Sequence, residues 1–178
     1  LESGFNPGSL VVDRPGTDRS GWQPQNYDHR FMGVMTLSDA LRLSRNVVAV
    51  NLIRQVGPEN VAGLASRMGL SKELPAYPSL ALGSAEVTPL EMARAYATFA
   101  REGETISPHA VKLIQSPLGE KRTPALPASD RVLTVENSRE MIQMMNQVVL
   151  SGTGQAAQVP GYQVAGKTGT TDNYRDAW

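Results

Sequence analysis

The stretch that most constrains this chain is Gln163 to Thr170. Tyr162, Val164, Ala165 and Gly166 read as a short strand, over about 163–170, that ends in Lys167-Thr168-Gly169-Thr170. A strand is stable only when its backbone groups are paired, so the chain must build part of a sheet around it. The strand carries a lysine, two threonine hydroxyls and a glycine to one place. Gly169 has no Cβ, so a ligand can lie directly against the backbone there. Lys167 supplies a compact cation, and Thr168 and Thr170 supply donors. This is a suitable edge for an extended substrate that bears a carboxylate.

The same region contains a decoy. Gly161 to Thr168 matches G-x-x-x-x-G-K-[ST], the phosphate-binding loop pattern. That loop needs a buried strand before it and a helix after the Lys-Thr pair. Here Gln155-Ala-Ala-Gln-Val-Pro160 precedes it and Gly169-Thr-Thr-Asp-Asn173, a turn sequence, follows. The loop interior, Tyr-Gln-Val-Ala, favours an extended chain. The context therefore argues against nucleotide binding.

Composition narrows the remaining classes. With 178 residues, 40% of them hydrophobic, the chain suits one domain or a large piece of one. Zero formal net charge gives no basic excess for a nucleic-acid partner. No cysteine is present, which removes disulfides and thiolate metal sites and agrees with an oxidising compartment. His29 and His109 are the only histidines, so no metal centre is expected. No apolar run is long enough for a membrane helix, and no signal peptide opens the sequence. Leu1-Glu-Ser-Gly4 reads as the end of a helix, and Asp176-Ala-Trp178 carries no terminator, so a piece of a longer chain is expected.

Residues 5–31 are rich in turn formers, with Leu10-Val-Val12 as a short strand. Trp22 and Tyr27 line a groove or pack against a neighbouring helix. Thr36-Leu-Ser-Asp39 is a capping pattern for a short helix to about Leu43. Ser44-Arg45-Asn46 interrupts it, and a second helix runs through Val47 to Ile53. Gly57 stops that helix, and Pro58 starts a third that carries Val61, Leu64, Ala65 and Met68. Residues 71–86 read as loop. Thr88-Pro89-Leu90-Glu91 is the clearest helix start, with Met92, Ala95, Tyr96 and Phe99 at core-facing spacing. A weak strand is expected over Ala110–Ile114. A long helix is expected from about Thr134 to Leu150, its methionines on a core face. Ser151-Gly-Thr-Gly154 breaks that helix.

Two polar clusters stand out: Ser44/Asn46 at a helix junction, and Lys167/Thr168/Thr170 on the terminal strand. Each alone is weak, because capping fully explains a Ser-x-Asn and K-T-G is short. Their order is more telling. Penicillin-binding proteins and class A β-lactamases carry S-x-x-K, then a Ser-x-Asn element, then K-T-G. Around these clusters, Tyr27-Asp28, Thr36-Leu37, Ala40-Leu41, the block Leu80 to Phe99, Gly152-Thr-Gly154 and Val164 to Trp178 resemble the transpeptidase domain of class A penicillin-binding proteins. The resemblance spans nearly the whole chain. Val48 and Ser38 depart from residues common there and touch no catalytic position. One departure is large: no serine has a lysine three positions later, since Lys72, Lys112, Lys121 and Lys167 follow Gly69, His109, Leu118 and Val164. In the family, the nucleophile lies on a helix just upstream.

The resemblance implies an α+β fold in which residues 1–178 form part of a transpeptidase domain. A helical part, about 34–150, would pack on part of an antiparallel sheet that includes the strand at about 163–170. It implies acyl transfer from the D-Ala-D-Ala end of peptidoglycan stem peptides, with a second stem peptide resolving the acyl-enzyme. It also implies acylation by β-lactam antibiotics, no cofactor and no nucleic acid. Ser44 would relay a proton to the leaving amine, Asn46 would hold the substrate's amide, and Lys167 would set the electrostatics around Ser44. Thr168 and Thr170 would bind the terminal carboxylate beside Gly169. The Thr170 N–H would be an oxyanion donor, typically worth roughly 3–4 kcal/mol. An upstream glycosyltransferase domain, an N-terminal membrane anchor and an extracytoplasmic location are implied for the parent protein. Two rivals share the fold: a β-lactamase-like hydrolase and a non-catalytic binding or scaffold domain. The tyrosine- and proline-rich entry and the Glu86–Phe99 block favour the transpeptidase. Without its nucleophile, this chain alone is expected to be inactive.

Overall fold

The computed structural model describes residues 1–16, 21–70 and 73–169. Thr170 to Trp178 lie outside the described residues, and with them the expected roles of Thr170. Two short antiparallel sheets accompany five α-helices among the described residues.

β1 (Leu10–Asp13) pairs with β2 (Gly33–Thr36) in antiparallel register, from Leu10 opposite Thr36 to Asp13 opposite Gly33. Strand alternation turns Leu10 and Val12 outward and Val11 and Asp13 inward, and Asp13 is fully buried. β2 runs straight into α1 (Leu37–Arg42). The Thr36 hydroxyl accepts from the Asp39 N–H at 3.1 Å, as the capping pattern requires. α2 (Asn46–Val56) buries Val47, Val48, Val50 and Ile53. Gly57, at φ 90°, ends α2 and opens α3 (Pro58–Arg67), which has proline in its first turn. The expected loop at 71–86 contains a 3₁₀ turn, Pro78–Leu82.

α4 (Pro89–Ala100) begins with a complete capping box. The Glu91 N–H donates to the Thr88 hydroxyl, and the Thr88 N–H donates to the Glu91 carboxylate at 2.7 Å. Its buried positions are Ala95 and Thr98; Tyr96 is 36% exposed, and packs edge-to-face on the half-buried Phe99. Ala95, Met68 and Leu133 form a small cluster with Leu64, Leu70, Phe99 and Val132 around it. The weak strand expected over Ala110–Ile114 shrinks to an exposed hairpin, in which β3 (Ile114–Gln115) pairs with β4 (Lys121–Arg122). α5 (Val135–Ser151) is capped by Thr134 and buries Met144, Met145, Val148 and Val149. Two of the methionines therefore take the core face assigned to them.

The main difference from expectation is at 163–169. No ladder includes these residues among those described. The extended run is instead laid on α5: the Gly166 N–H donates to Met145 O at 3.3 Å, and the Asn146 amide donates to Val164 O at 2.7 Å. Strand propensity sets an extended backbone, but a ladder also needs a neighbouring strand. Open grooves of about 510 Å³ and 430 Å³ flank the run, one along Gln158–Val164 and one between α4 and α5.

Gly103 is the tightest joint in the helical part. It sits at φ 94°, and a Cβ there would lie 2.2 Å from Leu133 O. Gly119 has a similar φ of 87° but faces open space. Gly119→Ala is expected to cost about 1 kcal/mol, from backbone strain alone. Gly103→Ala should cost more than about 2 kcal/mol, because the backbone must also move. Urea unfolding of the two variants checks the order.

Candidate active site

The corner between α1 and α2 presents Ser44. The Ser44 N–H donates to Leu41 O at 3.0 Å and the Arg45 N–H to Ala40 O at 2.9 Å, the two bonds of a Schellman helix stop. Such a stop places its turning residue in the left-handed region, where glycine is favoured. Ser44 occupies that position with φ 54°. A side chain there is strained, and it projects from the corner instead of lying along a helix.

Neither Ser44 nor Asn46 caps α2, which corrects the capping reading of this pair. The N-cap position is Arg45, and its side chain makes no cap bond. Asn26, twenty-one residues away in sequence, supplies the cap: its side-chain oxygen accepts from the Val47 N–H at 3.2 Å. Asn46 donates its amide to Gln25 O at 3.0 Å, which holds it on the first turn of α2.

The residue between them is the anchor. The Arg45 side chain is 5% exposed and turns inward. Its Nε donates to Asp13 at 2.9 Å and its Nη1 to Asp28 at 3.0 Å, while Nη2 meets Arg30 O. Asp13 also accepts from the Asn26 amide at 2.8 Å and from the Met32 N–H at 3.0 Å. Burial opposes the Arg45 charge, but its hydrogen bonds to Asp28 and Asp13 outweigh that and hold its pKa above the ordinary value. The same bond from Arg45 holds the Asp28 carboxyl below the usual range. Sequence reading missed Arg45, Asp13 and Asn26. Little in the sequence points to them, because Leu10-Val-Val12 is apolar at every position and does not mark Asp13 as the inward one.

The extended run brings the second cluster to this corner. Lys167 Nζ donates to Ser44 Oγ at 2.8 Å, across 123 residues of sequence. It also donates to Thr168 O at 2.8 Å and approaches Thr168 Oγ1 at 3.4 Å. Ser44, Lys167 and Thr168 are thus brought together, Asn46 sits two residues beyond Ser44, and Gly169 continues the run. Among the described residues, no group of three His, Cys, Asp or Glu side chains is placed to hold a metal ion.

Burial lowers the Lys167 pKa below its ordinary value. These three contacts of its ammonium are to neutral oxygens, so its charge remains available to an anionic ligand. An ammonium that donates to Ser44 Oγ directs the serine's own proton away from the lysine. When Lys167 is neutral, it can accept that proton instead. The pair can therefore pass a proton in either direction.

Two outcomes follow from this geometry. Ser44→Gly should be about 1 kcal/mol more stable than Ser44→Ala, since both lack the hydroxyl but only glycine relieves the left-handed backbone; thermal unfolding checks it. For Lys167, the folded-state pKa lies below the unfolded one, so the unfolded chain binds more protons between the two values. Stability should rise with pH through that window, and the burial penalty should be fully present below it. Urea unfolding from neutral to alkaline pH should show the wild type gaining on Lys167→Met as the pH approaches the ordinary lysine value.

Comparison with known proteins places the chain in a family. Residues 1–177 match the family model described as the penicillin-binding protein transpeptidase domain. Penicillin-binding protein 1A of Aquifex aeolicus (strain VF5) is 43% identical over 157 residues, 88% of this chain and 22% of that protein. The crystal structure of penicillin-binding protein 1A from Haemophilus influenzae superposes with a TM-score of 0.90 at 29% identity, covering 100% of this chain and 33% of that one. The structure of PonA1 from Mycobacterium tuberculosis in complex with penicillin V superposes with a TM-score of 0.82 at 25% identity, covering 96% of this chain and 49% of that one. The chain therefore spans well under half of the length of the curated relative. With the family model matched over almost every residue, and the Ser-x-Asn corner meeting the K-T-G run in space, the chain belongs to the penicillin-binding protein transpeptidase domain family.

Proposed function

We propose that this chain forms two walls of the acyl-transfer site of a serine-type D,D-transpeptidase. The reaction is cross-linking of peptidoglycan through the D-Ala-D-Ala end of a stem peptide. The observation that carries the reading is the 2.8 Å contact between Lys167 Nζ and Ser44 Oγ. It joins a hydroxyl able to relay a proton to a partly buried cation whose three contacts are all to neutral oxygens.

The chemistry needs a nucleophile, which no S-x-x-K in this sequence supplies. A serine from the longer protein would attack the penultimate carbonyl, and its acyl-enzyme would pass to a second stem peptide's amine. Ser44 would deliver the proton to the departing D-alanine, with Lys167 restoring it. Asn46 would hold the substrate's amide. Thr168 and Thr170 would grip the terminal carboxylate beside Gly169, and the Thr170 N–H would face the developing oxyanion. β-Lactams would acylate the same serine. The parent would carry a glycosyltransferase domain upstream and an N-terminal membrane anchor, and would act outside the cytoplasm. Residues 1–178 would form one part of its transpeptidase domain. No helix among the described residues is long and apolar enough to cross a membrane.

Fluorescent penicillin tests the reading. The longer protein that carries the S-x-x-K segment should label covalently, and this chain alone should not. In the longer protein, Ser44→Ala or Lys167→Ala should slow acylation by about 10²–10⁴-fold, the usual worth of a positioned acid or base. Labelling of this chain by itself, or a longer protein that does not label, would overturn it. Rapid release of the label would favour the β-lactamase-like hydrolase.

A further inference from the structure

The turn after α5 is tied to both walls of the site. Gly152 packs against α1 so closely that a Cβ would lie 2.3 Å from Arg42 O. The Thr153 N–H donates to that same Arg42 oxygen at 3.3 Å, and Arg42 Nη1 donates to Ser151 O at 3.1 Å. Arg42 is two residues before Ser44. On the other side, Thr153 Oγ1 lies 2.9 Å from Thr168 Oγ1. A closed ring results: Ser44 to Lys167, Lys167 to Thr168, Thr168 to Thr153, and Thr153 back to the end of α1.

Either hydroxyl can be the donor between Thr153 and Thr168, and the proton count decides what each direction leaves for a ligand. A threonine hydroxyl has one proton and two acceptor lone pairs, and an ammonium has only protons. Thr168 Oγ1 can therefore only accept from Lys167. If Thr168 also gave its proton to Thr153, it would have none for a ligand. If Thr153 gives the proton, both Thr168 lone pairs are filled by protein, and the Thr168 O–H must point out of the ring; Thr168 is exposed, so a ligand can reach it there.

We propose that Thr153 is a positioning residue. It donates to Thr168 Oγ1 and so aims the Thr168 hydroxyl proton at the carboxylate of the bound ligand. This rests on the transpeptidase reading, in which Thr168 meets that carboxylate. The Arg42 clip holds Thr153 in register with Ser44, so the proton relay and the carboxylate grip keep a set spacing.

The test uses the longer protein that carries the nucleophile segment, with two probes: benzylpenicillin and its methyl ester. Thr153→Val, which keeps the shape and loses the hydroxyl, should lower the acylation rate of benzylpenicillin by about three- to tenfold, the typical loss of one neutral hydrogen bond, here the one that aims the Thr168 hydroxyl. The ester, which has no anionic carboxylate, should slow by less than about twofold, since its bond to Thr168 is the weaker neutral kind. Thr153→Ser should restore the difference between the probes. Equal slowing with both probes, no slowing with either, or failure of serine to rescue would overturn the proposal. A wild-type protein that fails to acylate with benzylpenicillin would instead sink the transpeptidase reading. Thermal unfolding of each variant separates a folding defect, which would slow both probes alike.

Discussion

The buried ion pair between Arg45 and Asp13 is the constraint on which the corner depends. A charge that leaves water must find a partner, and here both charges find several. Asp13 accepts from Arg45, Asn26 and Met32, and Arg45 reaches Asp13, Asp28 and Arg30. Removing one partner from such a pair typically costs about 3–5 kcal/mol, because the other is left uncompensated. The pair therefore has one well-satisfied geometry. That geometry fixes where β1 meets the start of α2, and with it the direction in which the flanking residues project. Arg45 points in, so Ser44 is left at the strained helix stop and Asn46 on the first turn of α2.

Across the site, the fixation is of another kind. Lys167 and Thr168 stand on an extended run that no strand supports among the described residues. The run is held from below by α5, through Asn146 and Met145, and from the side by Thr153 and Ser44. These are single hydrogen bonds to chain of its own fold, each worth little alone. Precision comes from their closing into a ring with the Gly152 contact, where packing leaves no room for a Cβ. A rigid corner thus faces a run positioned by several weak contacts. This suits the proposed site, which would grip an extended ligand along the run and keep its proton relay in place.

Much of the helical part was legible because its signals are local. Thr36 and Thr88 cap α1 and α4 where their patterns place them, α5 starts beside Thr134 as expected, and Gly57-Pro58 divides α2 from α3. These signals act within four residues, where backbone geometry leaves few alternatives. The grouping of Ser44 with Lys167 was legible only through the order of two short motifs. The burial of α4 was less so: Tyr96, at the right spacing, stays partly exposed while Thr98 is buried. Periodicity identifies a face, but the neighbour that covers it decides how far burial extends.

By itself, the sequence determined where most helices start and stop, which residues are candidates for the chemistry, and that no S-x-x-K motif lies within it. These depend on residue type and near spacing. Only the tertiary structure decided that Arg45 rather than Ser44 or Asn46 anchors the corner, that Asn26 caps α2 from a distant loop, and that Thr153 touches Thr168. It also decided that residues 163–169 lie along α5 instead of in a ladder. Each of these is a contact between segments far apart in the chain. Such contacts arise from the need to satisfy buried charge and backbone polarity in three dimensions, a requirement that no local pattern encodes.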